Sequence, residues 1–143
     1  MDEEIRSAIM RQVAQGGYAE KLGIRLVDLA PGYGVVESVP REDDANILGT
    51  VHGGAIFSLM DEAFQVCSNS HGTVAVAMVV NVVYHKPAKV GRKLRAESRE
   101  INRSKKTATY EIRVEDEAGV LIASCQALAY RKEERLPFLG ETG

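Results

Sequence analysis

The residues of this chain best suited to chemistry lie in one stretch, Asn46-Ile-Leu-Gly49-Thr50-Val-His52-Gly53-Gly54, followed eight residues after Gly53 by Asp61. A helix starting here presents unpaired N–H groups and a partial positive charge at its N-terminus. Two glycines at that end let another molecule come close to the backbone, as a developing oxyanion or polarised carbonyl requires. The same glycines would equally serve close packing at a helix entry. Asp61 stands mid-helix among apolar and small residues, where aspartate is a poor helix former and lies two turns too late to cap. It reads either as a base or nucleophile or as a solvated side chain on the exposed face. Glu62, between the two faces, fits the solvated role better. Burial of Asp61 would raise its pKa, and no cation in the helix opposes that.

Helix geometry separates Gly53 from Asp61 by about 12 Å along the axis. A reacting carbonyl must lie within about 3 Å of both its donor and its attacker. Either the two residues are unrelated, or a second copy of the chain supplies one of them and the site lies between subunits.

Other constellations are weaker. His52, His71 and His85 show no metal-ligand spacing; His52 fits a role in orienting the loop or a carbonyl, His71 and His85 a surface position. Cys67 and Cys125 sit far apart in apolar stretches and read as buried free thiols of a cytoplasmic protein. The segment Asn102-Arg103-Ser104-Lys105-Lys106-Thr107 concentrates three cations in a connection between strands. It is either a solvated turn or a clamp for a phosphorylated carrier, with Lys86, Lys89, Arg92 and Lys93 as an extension. GxSxG, Walker A and GxGxxG patterns are absent from the sequence. A net charge of -2 argues against a global nucleic-acid field. The chain contains no apolar run of the about 18 residues that span a bilayer, and Met1–Gln12 carries acids at positions 2 to 4 in place of a secretory leader.

The elements that must position these residues follow from periodicity. Ile5, Ile9 and Val13 place a helix over residues 2–16, stopped by Gly16-Gly17, with a single turn over 18–23. Residues 24–29 and 33–39 form a hairpin about Pro31-Gly32. The strong helix covers 51–68, with Ile56, Leu59, Met60, Ala63, Phe64 and Cys67 as its apolar stripe and Gly54, Phe57, Ser58, Asp61 and Gln65 on another face. Four strands follow, over 74–85, 92–102, 107–116 and 120–131; the first is so continuously apolar that it fits a central strand. Residues 132–143 are charged and Gly-rich and are expected to fray. One apolar helix beside consecutive antiparallel strands predicts an α+β fold, a sheet wrapped around the helix, in a single domain of 143 residues.

With these residues in view, the stretch 46–64, NILGTVHGGAIFSLMDEAF, resembles the signature of hotdog-fold acyl-CoA thioesterases of the PaaI (phenylacetic-acid-degradation) type. Residues 79–91, VVNVVYHKPAKVG, resemble the third strand and turn of the same family, and the likeness runs over roughly residues 18–131. The resemblance implies a hotdog fold and a homodimer joined edge to edge, commonly paired again into a homotetramer. It implies an acyl-CoA substrate and no cofactor, metal, nucleic-acid or membrane partner. Carried over, the Gly53 N–H would polarise the thioester, Gly54 would support the turn, and Asn46 and His52 would orient the group. Asp61 of the facing chain would act as nucleophile or general base. Asn102, Arg103, Ser104, Lys105, Lys106 and Thr107 would hold CoA, with Tyr84 and Tyr130 along its path. The chain departs from the family at Ala75-Val76-Ala77-Met78-Val79, where relatives often carry a hydroxyl that places water. That departure implies a more apolar acyl pocket, suited to aryl or medium-chain groups. It also keeps open a non-catalytic acyl-CoA-binding or regulatory domain. A dehydratase or isomerase would need a His with an Asp or Glu in an arrangement the sequence does not show.

Overall fold

The computed structural model describes residues 1–140. Helix α1 (Glu3–Gln15) is capped by Asp2, whose carboxylate accepts from the Glu4 and Ile5 N–H groups; the acids read at positions 2 to 4 thus sit where a helix dipole favours them. Helix α2 (Gly17–Lys21) follows directly. Strands β1 (Arg25–Ala30) and β2 (Tyr33–Ser38) form the expected hairpin. Helix α3 (Gly53–Ser68) is succeeded by β3 (Thr73–Tyr84), β4 (Leu94–Arg103), β5 (Thr107–Asp116) and β6 (Leu121–Arg135).

The six strands make one antiparallel sheet in the order β1-β2-β4-β5-β6-β3, curved around α3. Leu59, Met60, Ala63 and Cys67 of α3 are buried against Ala96, Tyr110, Ile112 and Ala123 of the inner sheet face. The Phe64 and Tyr110 rings meet at 5.2 Å. Each fully buried Leu or Met here contributes about 1.5–3 kcal/mol. Strand β2 runs so close to α3 that a Cβ on Gly34 would stand 2.7 Å from Val66 Cγ2. The outer face carries charge instead: Glu97 of β4 accepts from Tyr33 and pairs with Arg99, which lies over the Tyr33 ring.

Two expectations need correction. Strand β3 is the sheet edge rather than its centre. Its apolar run left no charge to mark an edge, yet Val76, Met78, Val79 and Val83 are all more than two-fifths exposed in the single chain. The tail does not fray over 132–140: β6 continues to Arg135, which pairs with Glu4, and Leu136 and Leu139 are buried against Ala8, Ile9 and Val66. A run of five charged residues over 131–135 hid that continuation, and the apolar Leu-Pro-Phe-Leu supplies the packing. Residues 141–143 of that tail lie outside the described residues. No described helix is long and apolar enough to cross a membrane.

Candidate active site

The loop before α3 is organised by its own side chains. Asn46 Oδ1 accepts from the Leu48 and Thr50 N–H groups and its Nδ2 donates to Thr50 Oγ1, an Asx-type turn. The loop is then tied at both sides: His52 N–H donates to the Asp44 carbonyl, and Val51 N–H to the Ala88 carbonyl at 2.9 Å. Val51 therefore belongs to the loop, and α3 starts at Gly53. The two motifs singled out in the sequence meet physically here, because Tyr84 Oη also donates to the Gly53 carbonyl at 3.0 Å.

His52 is the N-cap. Its Nδ1 accepts the Gly54 N–H at 2.8 Å, so in this chain it positions the helix start. A Cβ on Gly54 would stand 3.0 Å from that nitrogen, which gives the second glycine its reason. His52→Ala removes the cap and should cost about 1 kcal/mol, a Tm lower by about 2–4 °C in thermal unfolding. The Ala55 and Ile56 N–H groups turn back to the His52 carbonyl. Among the described residues the Gly53 N–H is left without a partner, the one free donor at the end of this helix.

Two turns on, Asp61 is half-buried, with no ion pair or hydrogen bond among the described residues. Burial alone pushes its carboxyl above the usual carboxylate range. Asp61 opens on two concavities. One, about 230 Å³, lies against Ala75, Val76 and Ala77 of β3. The other, about 570 Å³, runs between α3, α1 and the Leu136–Phe138 segment. Glu62 lines the larger one too, and burial followed by the Asp61 charge pushes its carboxyl up. Sequence reasoning assigned Glu62 to solvent; its intermediate helical position was the signal available. Ser58, off the apolar stripe, is nonetheless buried, donates to the Gly54 carbonyl and therefore accepts from Tyr18 Oη at 2.8 Å.

Within one chain Gly53 and Asp61 stay apart: Gly53 touches Tyr84 at one end of β3, while Asp61 faces Ala75–Ala77 at the other. The Asn102–Thr107 segment closes the β4–β5 hairpin at the Asp61 end, since Thr107 pairs with Tyr130 and Tyr130 with Val76. Asn102 reaches Ser104 Oγ, Lys105 pairs with Glu133, and Arg131, unmarked in the sequence, donates to the Ser104 and Lys105 carbonyls. Tyr130 therefore stands by the hairpin and Tyr84 by Gly53. Lys86, Lys89, Arg92 and Lys93 do not extend the hairpin surface within the chain: they precede Leu94, the far end of ten-residue β4, about 30 Å away. Consecutive sequence position says little when a strand intervenes.

His71 is not a free surface residue. It pairs with Glu100 at 2.8 Å, both only 16% exposed, and Glu100 also accepts from Tyr110. His85 is exposed and bonds Ser124. Burial pushes the Cys67 thiol up to about 12 and Cys125 to about 11, so neither is a nucleophile at neutral pH. Among the described residues no three His, Cys, Asp or Glu side chains converge as a metal site.

Comparison with known proteins agrees with this architecture. The thioesterase superfamily pattern matches residues 48–123. A protein of Archaeoglobus fulgidus is 43% identical over 118 residues, covering 82% of this chain and 77% of that one. The acyl-coenzyme A thioesterase PaaI of Escherichia coli is 29% identical over 113 residues, covering 79% and 81%; its solved structure superimposes with a TM-score of 0.88 at 25% identity, over 92% and 96% of the two chains. A mutant of the phenylacetic acid degradation protein PaaI from Thermus thermophilus matches at TM-score 0.79 and 37% identity, over 82% and 100%. A hotdog sheet around α3, a free N–H at the α3 start and the matched superfamily pattern converge: the chain belongs to the thioesterase superfamily, as a hotdog-fold enzyme of the PaaI type.

Proposed function

We propose that the protein hydrolyses acyl-CoA thioesters in the cytoplasm, at sites formed between two copies of the chain. The observation that carries this is Asp61: a desolvated carboxylate with no partner among the described residues, opening on a mostly apolar cleft. The name of the Escherichia coli relative, an acyl-coenzyme A thioesterase, supports the substrate class.

The free edge of β3 supplies the second copy. Its unpaired backbone and exposed apolar side chains are the pattern of a strand that continues into another sheet. Antiparallel pairing about a two-fold axis near Val79–Val80 sets Tyr84 opposite Ala75 of the partner subunit. Gly53, held by Tyr84, then approaches the partner's Asp61. Two such dimers would pair into the homotetramer.

In this site the Gly53 N–H donates to the thioester oxygen as it gains charge, aided by the helix dipole. The partner's Asp61 either attacks the carbonyl carbon or takes the proton from the water that does. The C–S bond breaks, the CoA thiolate leaves and takes up a proton, and the acid is released. In the nucleophilic route, water hydrolyses the resulting anhydride and restores the carboxylate. His52 and Asn46 serve by holding the loop, Gly54 by admitting the His52 cap. Asn102, Arg103, Ser104, Lys105, Lys106 and Thr107 hold the CoA phosphates and pantetheine at the Asp61 end, beside Tyr130, with Tyr84 at the Gly53 end.

Arg103→Ala with Lys106→Ala should raise KM for CoA esters about tenfold while kcat stays within a few-fold, because the hairpin contacts the carrier and not the reacting atoms. Steady-state kinetics at low and high salt check this, the difference narrowing as salt screens the charges.

The test of the function is thiol release from aryl-acetyl-, benzoyl- and straight-chain acyl-CoA. Turnover of at least one class is expected. Tight ester binding with no turnover would favour the acyl-CoA-binding domain instead, the reading suggested by the absence of a hydroxyl over Ala75–Val79.

A further inference from the structure

We propose that Glu62 is a charge filter in the acyl subsite, setting the protein to uncharged acyl groups and against acyl groups that end in a carboxylate. This rests on the reading that CoA esters are hydrolysed at Asp61.

The cleft of about 570 Å³ at Asp61 is lined by none of residues 102–107 and is walled by Ile9, Val13, Val66 and Phe138. A thioester carbon held at Asp61 with its CoA at the hairpin directs its acyl group into that space. Two carboxylates, Asp61 and Glu62, line it, and among the described residues no lysine, arginine or histidine does. Glu62 has neither ion pair nor hydrogen bond among the described residues. Its burial and the Asp61 charge both disfavour ionisation, as the upward displacement of its carboxyl shows. An uncompensated, half-buried carboxylate weakens a fold, and here no packing or capping partner accounts for it.

The hydroxyl and Asn69 side-chain donors in the cleft are spent. The Tyr18 hydroxyl serves Ser58, Ser58 serves the Gly54 carbonyl, and the Asn69 amide serves the Gln65 and Ala75 carbonyls. A carboxylate at the end of an acyl chain would give up water, meet two like charges and find no cationic side chain among the described residues, only the Gln12 and Gln65 amides and the backbone N–H groups at the start of the five-residue α2. A methyl or aryl terminus meets none of these penalties and covers the apolar walls.

The test compares matched esters on the full-length protein: pentanoyl- with glutaryl-CoA, and benzoyl- with terephthaloyl-CoA. The wild type should favour the uncharged member of its better pair by at least about a hundredfold in kcat/KM. Glu62→Gln, which keeps shape and removes charge, should narrow that ratio at least about tenfold. Gln12→Lys, which adds a cation from α1 without touching α3, should narrow it independently. A wild type indifferent to the terminal carboxylate, or a ratio that neither variant moves, overturns the filter while leaving the hydrolytic reading in place. Thiol release from neither uncharged ester, nor from an aryl-acetyl-CoA, would overturn the hydrolytic reading and this inference with it.

Discussion

Asp61→Asn should lower kcat for acyl-CoA hydrolysis by about 10³–10⁴-fold while leaving the protein folded and at least as stable as the wild type at neutral pH. The amide keeps the shape of the side chain and removes the charge that attacks or activates water. The stability half follows from the raised carboxyl. Folded Asp61 holds its proton more tightly than the unfolded chain does. Its contribution to stability is therefore complete below the ordinary carboxylate range and is lost as pH rises through the raised value. At pH 7 the charged side chain is a burden that Asn does not carry, so the variant's Tm should match or exceed the wild-type value there and lose that advantage toward pH 4. The wild-type rate should show the mirror image. The reaction needs the carboxylate, so kcat/KM should fall on the acid side with a midpoint above the usual carboxylate range. Thiol release across pH and thermal unfolding at pH 7 and 4 check both halves. Turnover undiminished in Asp61→Asn would remove the mechanism.

The second large effect is expected at Gly53, where the donor is a backbone group and only proline deletes it. Gly53 is the first residue of α3, and His52 before it has φ -60 and ψ 136. Proline is favoured at the first helical position, and an extended residue must precede it. The loop is thus already shaped for Gly53→Pro. Loss of the free N–H should reduce kcat by about 10²–10³-fold, the effect of removing one oxyanion donor, with KM little changed. Gly53→Ala retains the N–H, and its Cβ would sit 3.5 Å from the Tyr84 ring, an ordinary contact; it should lose far less activity. Equal losses in the two variants would mean that Gly53 matters for packing and not for its N–H.

These two residues also show what could be read from the sequence. The α3 stripe and the alternation of β5 carry their own period, so helix, hairpin and sheet could be placed within a few residues. The Gly53 and Asp61 separation followed from helix rise alone and left two readings, unrelated residues or a site completed by a second copy. Strand order could not be read this way. An apolar β3 looks the same whether it is buried by neighbours in its own sheet or exposed at an edge awaiting another. The C-terminal segment misled for a related reason: a charged strand end followed by Leu136–Leu139 owes its order to α1, more than a hundred residues away in sequence. At the site, the cap made by His52 and the Asx turn made by Asn46 needed side-chain directions that spacing does not give. Glu62 was visible as a residue, but its place in a cleft with no cation among the described residues depended on α1 and the tail forming the other walls.

The most direct test of the central claim, that Gly53 of one protomer works with Asp61 of its partner, is subunit complementation. Gly53→Pro and Asp61→Asn chains, each nearly inactive alone, are co-expressed or unfolded and reassociated in equal amounts. In a mixed two-fold dimer one site carries both defects and the other carries neither. Random pairing should therefore restore about a quarter of the wild-type activity per chain, all of it in the heterodimer fraction separated by differential tags. A mixture no more active than its two components would contradict the account, because a site built within one chain retains a defect in every combination.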